Sequence, residues 1–214
     1  MRLPNRRTWN RGTSSFFDGQ LERTPAVDLR PSGYDTALML VSPPYKIAVL
    51  CYLFDHQGRV LLLHRRKPPN RDLYSPIGGK LDQAVGESPT ACAAREIAEE
   101  TGVEVQPTDL HLTGIVSESG YDQTHWLMFL YEVNRPVHVE RTTFDEGRLE
   151  WHSHAAIGTL PIPPTDRSVI WPLFWRYRGR FFAVHIHCDG GELRWRLEQP
   201  VLDAGTLATN LPLT

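Results

Sequence analysis

Three glutamates, Glu96, Glu99 and Glu100, lie within five residues of one another beside Arg95, in the stretch AAREIAEETG at 93–102. If this stretch is a helix, with about 100° of rotation per residue, all three carboxylates share one face. Like charges one turn apart repel each other. A divalent cation would cancel that repulsion, and Mg²⁺ prefers oxygen ligands, which it often shares with substrate phosphates. The spacing therefore points to a Mg²⁺ site; the alternative is a solvated helix face with an Arg95–Glu99 ion pair.

The helix that must position these acids is predicted to span about residues 89–101. Ser88 is a favourable N-cap, Pro89 suits the first helical position, and Gly102 suits the position that ends a helix. The acids then lie in the last two turns, where the helix dipole disfavours anions. This placement makes the repulsion harder to explain without a bound cation.

The residues around the acids resemble the signature of the Nudix hydrolase family. Glu87 is followed by seven residues and then by REIAEETGV, which has the family's spacing. The first part of the signature departs from the pattern, because seven residues rather than five separate Gly79 from Glu87. The extra residues fall in the loop before the helix, where an insertion costs little free energy. The insertion could still change how this loop approaches a metal ion and phosphates.

The resemblance implies an α/β fold, an α/β/α sandwich built around a mixed β-sheet. It also implies hydrolysis of a nucleoside diphosphate linked to another group, with Mg²⁺ or Mn²⁺ as the cofactor. It assigns metal binding to Glu96, Glu99, Glu100 and Gly79, catalysis to Glu96, Glu99 and Arg95, which would orient a glutamate, and structural roles to Glu87 and Gly102.

The similarity extends over roughly residues 45–200 and is closest to the mutator-type 8-oxo-purine nucleoside triphosphatases, the MutT-like branch. The segments FDEGRLEW (144–151) and LPIPPTDRSVIWPLF (160–174) carry this similarity. In that branch an acid at the position of Glu146 adds a metal ligand or base from a separate loop. The alternatives are that Glu146 is a plain turn residue, or that Glu150 takes this role.

In the same branch, neighbouring acids before the second helix bind the nucleobase of the substrate. Here Asp166 matches one of these acids, but its neighbour is Thr165 rather than an acid. Asp166 could instead cap that helix. Tyr74 and Ser75 lie where base-contacting residues are expected. Lys80 could meet a phosphate or be a surface lysine.

The chain is predicted to consist of an N-terminal extension (1–44), a Nudix domain (45–200) and a C-terminal tail (201–214). The β-rich runs at 46–54 and 59–66, on either side of the turn DHQG, are predicted to pair as a hairpin. Further predictions are a strand pair at 110–118 and 124–133, a strand at 147–153, a helix from Asp166 to about 178 disturbed at Pro172, and a hairpin of 180–188 with 192–198 around DGG.

Composition limits the possible partners. With a net charge of −2 over 214 residues, the chain gives no general reason to expect nucleic-acid or membrane binding. Its longest apolar run, 47–54, is too short to span a bilayer. Three sparse cysteines fit a reducing cytoplasm better than a disulfide framework. We therefore expect a cytoplasmic protein, monomeric or homodimeric, whose partner is a small nucleotide.

The leading hypothesis is Mg²⁺-dependent hydrolysis of a nucleoside triphosphate, oxidised ones included, to a monophosphate and pyrophosphate. Another nucleoside diphosphate derivative, such as ADP-ribose or a dinucleoside polyphosphate, is the alternative substrate. A non-catalytic nucleotide-sensing domain is the alternative from a different class, and the intact REIAEE argues against it.

Overall fold

The computed structural model describes residues 45–68, 70–189 and 192–199. The predicted N-terminal extension and C-terminal tail lie outside these residues. The strands are β1 (Tyr45–Tyr52), β2 (Val60–Arg65), β3 (Tyr74–Ser75), β4 (Leu110–Tyr121), β5 (Thr124–Val133), β6 (Thr143–Phe144), β7 (Gly147–His152), β8 (Phe182–Asp189) and β9 (Glu192–Gln199). The helices are α1 (Pro89–Thr101), α2 (His154–Ile157) and α3 (Trp171–Arg176), with a 3₁₀ turn at Pro107–Asp109 and a π-helical segment at Asp166–Ile170.

The strands form two sheets. The larger has the order β1-β5-β4-β8-β9 and is mixed, because the β1–β5 and β4–β8 pairs are parallel and the other two pairs are antiparallel. The smaller, β3-β2-β7-β6, is antiparallel throughout. The predicted α/β fold with a mixed sheet is confirmed, and the second sheet is an addition that the strand pattern did not predict.

The predicted hairpin of the runs at 46–54 and 59–66 forms only beside its turn, where Phe54 bridges Val60 and Leu61 N–H donates to Leu53 O at 2.9 Å. The strands β1 and β2 themselves do not pair, which corrects the prediction. The turn between them does close, since Asp55 N–H donates to Arg59 O at 3.0 Å, but β1 pairs with β5 and β2 pairs with β3 and β7. The reason lies at the other edge of β1, which is occupied by the glycine loop, residues 76–80. Val49 N–H donates to the carbonyl oxygen of Gly79 at 2.9 Å. With β5 on one edge and this loop on the other, β1 has no place for β2.

Helix α1 has the predicted bounds. Ser88 Oγ accepts a hydrogen bond from Ala91 N–H at 3.2 Å, and Gly102 ends the helix in the left-handed region with φ 77°. Cys92, Ala93 and Ile97 are fully buried in an apolar cluster that includes residues of β1 and β5. The inner face of α1 is therefore held against the large sheet, and its acids lie on the remaining surface.

The second helix differs from its prediction in pitch and in its start. A π-helical segment precedes α3, and Trp171 N–H donates to Asp166 O. Pro172 has no N–H to continue regular helical hydrogen bonding, which accounts for the disturbance there. Thr165 occupies the N-cap position, so the interpretation of Asp166 as the cap is wrong.

A second apolar cluster lies on the face of the large sheet opposite α1. Phe174 of α3 stacks on Tyr52 of β1 with ring centroids 4.0 Å apart. The predicted pairs β4–β5 and β8–β9 are both present, and β7 has nearly the predicted bounds. No helix among the described residues is long and apolar enough to cross a membrane.

Candidate active site

A cleft of about 380 Å³ opens where β1, the glycine loop, α1 and the large sheet meet. Two groups of acids line it, and they come from distant parts of the chain. The first group is Glu96, Glu100 and Glu146, with the basic residues Arg65 and Lys80; the second is Glu118 and Asp166, with Ser75, Tyr121, Trp126 and Thr165.

Arg95 ties Glu87 to the acids of α1. Its Nε and Nη2 donate to the two carboxylate oxygens of Glu87 at 2.8 and 2.9 Å. Its Nη1 donates to Glu96 Oε1 at 2.8 Å and to Glu99 Oε2 at 3.1 Å. The hydrogen bonds from Arg95 hold the pKa of Glu87 at about 2, and the backbone N–H of Asp82 adds to this effect. Arg95 thus contacts three carboxylates, as a residue that orients glutamates would.

The lengthened loop before α1 folds back on itself without disturbing these contacts. Glu87 Oε2 accepts Asp82 N–H at 2.8 Å, while Glu87 N–H donates to Asp82 O at 3.0 Å. Ala84 N–H closes the turn on Asp82 Oδ1 at 3.0 Å. Val85 near the tip is 76% exposed. The extra residues therefore form an outward turn, and Glu87 keeps both bonds to Arg95.

Glu100 is the most deeply buried acid of α1, with 5% of its surface exposed. Its Oε2 accepts the N–H of Gly78 at 3.2 Å. Burial, together with the nearby charge of Glu96, raises the pKa of Glu100 to about 8. Burial also raises the pKa of Glu96, although Arg95 opposes the shift. Both carboxyls therefore lie in surroundings that penalise their negative charge.

The glycine loop leaves no room for side chains. A Cβ at Gly79 would lie 2.3 Å from Glu96 Oε1, and one at Gly78 would lie 2.2 Å from Val49 O. Sequence reasoning singled out Gly79 but missed Gly78, although the glycine pair was a visible signal. The Gly79 carbonyl already accepts Val49 N–H, so its predicted role as a metal ligand would use its second lone pair.

Glu146 and Glu150 have different surroundings. Glu146 lines the cleft, where its Oε2 lies 3.6 Å from Arg65 Nη2. Glu150 lies outside the lining and accepts hydrogen bonds from Arg148 Nε at 2.5 Å and from the Tyr74 hydroxyl at 3.1 Å. The structure therefore brings Glu146 to the acids of α1 and directs Tyr74 to Glu150.

The second group of acids includes a residue that sequence reasoning missed. Glu118 of β4 is 3% exposed, and burial raises its pKa to about 7. Burial and the charge of Glu118 likewise raise the pKa of Asp166 to about 7. Ser75, which is 8% exposed in the same lining, has a buried hydroxyl without a hydrogen-bond partner in the described part of the chain. An acid on the inward-facing side of a strand, two residues after buried Val116, was the available signal for Glu118.

The donors fit a hard divalent cation in chemistry, since all are carboxylate or carbonyl oxygens. Across residues 45–68, 70–189 and 192–199, no three acid, histidine or cysteine side chains are grouped closely enough to hold a metal ion. Glu99, whose side chain is 59% exposed, points to Arg95 rather than into the cleft. Mg²⁺ commonly takes only one or two carboxylates and completes its shell with water and phosphate oxygens, which the donors lining this cleft would allow.

The fold and the cleft define an α/β/α protein with a carboxylate-lined site, and comparisons with known proteins place it more narrowly. The NUDIX domain profile matches residues 44–171. The uncharacterised Nudix hydrolase YvcI of Bacillus subtilis is 30% identical over 114 residues, 52% of this chain and 69% of that protein. The chain therefore belongs to the Nudix family of hydrolases, as predicted.

Solved structures agree on the fold. A MutT protein from Bacillus halodurans has a TM-score of 0.57 at 28% identity, covering 72% of this chain and 99% of its own. A MutT protein from Methanosarcina mazei has a TM-score of 0.53 at 24% identity, covering 63% and 94%. The NUDIX domain of Shewanella oneidensis NrtR, solved with ADP ribose, has a TM-score of 0.52 at 17% identity, covering 68% and 93%. MutT proteins are thus among the structural neighbours, as the predicted branch requires.

Gly79→Ala tests whether the glycine loop sets the position of Glu96. The added methyl would displace the Glu96 carboxylate, and a misplacement of about 1 Å can lower catalysis roughly 100-fold. We expect a fall of that order in kcat/KM for nucleotide hydrolysis. Gly158→Ala is the matched control, because Gly158 has helical φ and nothing within 4 Å of an added Cβ. Equal activities of the two variants would show that Glu96 tolerates the displacement.

Proposed function

We propose that this protein hydrolyses nucleoside triphosphates, oxidised ones included, to a monophosphate and pyrophosphate, with Mg²⁺ or Mn²⁺ as cofactor. One observation carries the proposal: a single cleft holds oxygen donors suited to a hard cation and, apart from them, polar groups suited to a nucleobase. These are the buried Glu118, the partly buried Asp166 and the Ser75 hydroxyl, which has no hydrogen-bond partner among the described residues. Its volume of about 380 Å³ is within the range of small-molecule sites.

The first acid group would receive the phosphates. Glu96, Glu100 and the Gly79 carbonyl would hold the cation. Glu99, which bonds Arg95 outside the lining, would join them once its side chain turns into the cleft. When bound, the cation polarises a phosphoryl oxygen and stabilises the charge that develops during attack. Arg95 keeps Glu96 and Glu99 oriented by direct hydrogen bonds.

A glutamate would take the proton of the attacking water, and Glu146 is the better placed of the two candidates. It lines the cleft, whereas Glu99 is mostly exposed and bonded to Arg95. The cations Arg65 and Lys80 lie in the same lining and would contact phosphate oxygens.

The second acid group would bind the base. Asp166 and Glu118 offer carboxyl oxygens to ring N–H and amino groups, and the Ser75 hydroxyl supplies a further donor or acceptor. Trp126, partly buried in the same lining, offers a ring for stacking. For Tyr74, contact with the base remains a prediction only, because its hydroxyl donates to Glu150, which lies outside the cleft lining. A purine edge rich in donors suits this group of side chains.

The proposal also covers the location and the oligomeric state of the enzyme. Cys51, Cys92 and Cys188 are all free thiols, which supports a reducing cytoplasm. A monomer or homodimer acting on a small nucleotide remains the proposed assembly.

A panel of nucleotides incubated with the protein and Mg²⁺ tests the proposed reaction. We expect nucleoside triphosphates to yield monophosphate and pyrophosphate, which ion-exchange chromatography and ³¹P NMR separate from orthophosphate. Activity confined to ADP-ribose or a dinucleoside polyphosphate would select the alternative substrate. If no member of the panel is hydrolysed but nucleotides bind in calorimetry, the sensing domain is the correct interpretation.

Glu146→Gln and Glu150→Gln form a matched pair that tests which acid serves the reaction. Loss of a general base lowers rates by about 10²–10⁴-fold, so Glu146→Gln should reduce kcat by at least 100-fold. Glu150→Gln should change kcat by less than about threefold, because Glu150 lies outside the cleft lining. Glu99→Gln tests the other candidate base, and a reversed order of Glu146 and Glu150 would contradict the assignment.

The pH dependence of KM tests the base-binding role of Asp166 and Glu118. Their pKa values of about 7 mean that the pair ionises as the pH rises from 6 to 8. Ionised carboxylates accept N–H donors better, so KM should fall up to about tenfold over this range at saturating Mg²⁺. Asp166→Asn should flatten the profile, and Glu104→Gln, which changes an exposed acid outside the lining, should not. A wild-type KM that rises with pH would contradict this role.

A further inference from the structure

The C-terminal end of α1 is electrostatically unfavourable for the acids it carries. Glu99 and Glu100 lie in its last turn, and that turn contains no basic residue. The last carbonyls of a helix also lack partners within the helix and carry partial negative charge. A positively charged side chain from outside the helix would offset this charge.

Arg141 is that group. It comes from the loop between β5 and β6, and its Nη1 donates to the backbone oxygen of Glu99 and lies 3.5 Å from that of Glu100. Arg95 binds carboxylate side chains, whereas Arg141 binds backbone carbonyls. Its charge therefore offsets the helix end without occupying the carboxylate oxygens that a cation would use.

The same arginine connects two acid-bearing elements. Arg141 lies two residues before β6, which pairs with β7 through Thr143 and Arg148. Leu149 N–H also donates to the Thr142 carbonyl at 2.8 Å. Glu146 lies in the turn between these two strands. A bond from Arg141 to α1 thus attaches the hairpin that carries Glu146 to the helix that carries Glu96 and Glu100.

We propose that Arg141 is a positioning residue for the active site: it holds the end of α1 and sets Glu146 against Glu96 and Glu100. This inference rests on the proposed function, because it assigns Arg141 to the same cation and the same reaction. It does not require contact between Arg141 and the substrate.

Whether loss of Arg141 strengthens or weakens cation binding distinguishes a positioning role from a purely electrostatic one. Removing a nearby positive charge would, by Coulomb's law alone, strengthen binding of a divalent cation. Removing a positioning residue would weaken it, and loss of a residue that orients metal ligands typically costs 10–100-fold in metal affinity or activity. The two explanations therefore predict opposite changes.

The experiment compares Arg141→Gln and Arg141→Lys with Arg135→Gln. Arg135 is the matched control, since it is an exposed arginine of the same loop that binds the Glu104 carbonyl at 3.0 Å, outside α1. Mn²⁺ affinity of the full chain without nucleotide is measured by electron paramagnetic resonance, and kcat and KM are measured with the best substrate of wild type. We expect Arg141→Gln to weaken Mn²⁺ binding about tenfold and to lower kcat at saturating metal with little change in KM.

Arg141→Lys, which keeps one donor and the charge, should recover part of both losses, and Arg135→Gln should match wild type. Unchanged or tighter Mn²⁺ binding in a folded Arg141→Gln protein would overturn the inference, as would an equal loss in Arg135→Gln. If Arg141→Gln fails to fold, as judged by circular dichroism, wild-type Mn²⁺ affinity and kcat in Arg141→Lys would overturn it. If Arg141→Gln weakens Mn²⁺ binding as expected but the wild type hydrolyses no nucleotide, the proposed function alone is contradicted.

Discussion

The arrangement of the acid site depends on the guanidinium of Arg95, which keeps negative charges together at the end of a helix where anions are disfavoured. It binds Glu87 through two hydrogen bonds and also reaches Glu96 and Glu99. Together with the backbone N–H of Asp82, it holds the pKa of Glu87 near 2. Arg95 is not among the groups that set the pKa of Glu100, which lies near 8 because this carboxyl is buried and close to Glu96. The unmatched negative charge favours a second cation from outside the chain.

The glycine loop controls how a ligand can reach these carboxylates, and it lies along the edge of β1 that is not paired with β5. Backbone bonds from Val49 and Cys51 to Gly79 and Ile77 hold this loop against the large sheet. The same contacts place Gly78 N–H on Glu100. Because the loop is held by backbone atoms on one side and faces carboxylates on the other, side chains are excluded at its glycines. The longer turn before Glu87 is tolerated because it projects away from both surfaces.

Local signals predicted α1 to the residue, since Ser88, Pro89 and Gly102 act within one turn of their positions. The pairing of β1 with a strand about 80 residues away could not be predicted locally, because the apolar pattern shows burial but not the partner. The acids of α1 were visible as a motif. Glu118 belongs to no motif: the strand pattern could show that it faces inward, but only the fold places it beside Asp166.

The two acid groups of the cleft make different demands, and a nucleotide bound with its cation would meet both. Glu96, Glu100 and Glu146 need positive charge, which side chains of α1 and the nearby loops supply only in part. Glu118 accepts hydrogen bonds from Thr165 and Cys188, but no cation is among the causes that set its pKa or that of Asp166. An inorganic polyphosphate with Mg²⁺ would satisfy the first group and would leave the Ser75 hydroxyl, which has no partner among the described residues, without a hydrogen bond. Buried polar groups left unpaired cost free energy, so the second group favours substrates that carry a base.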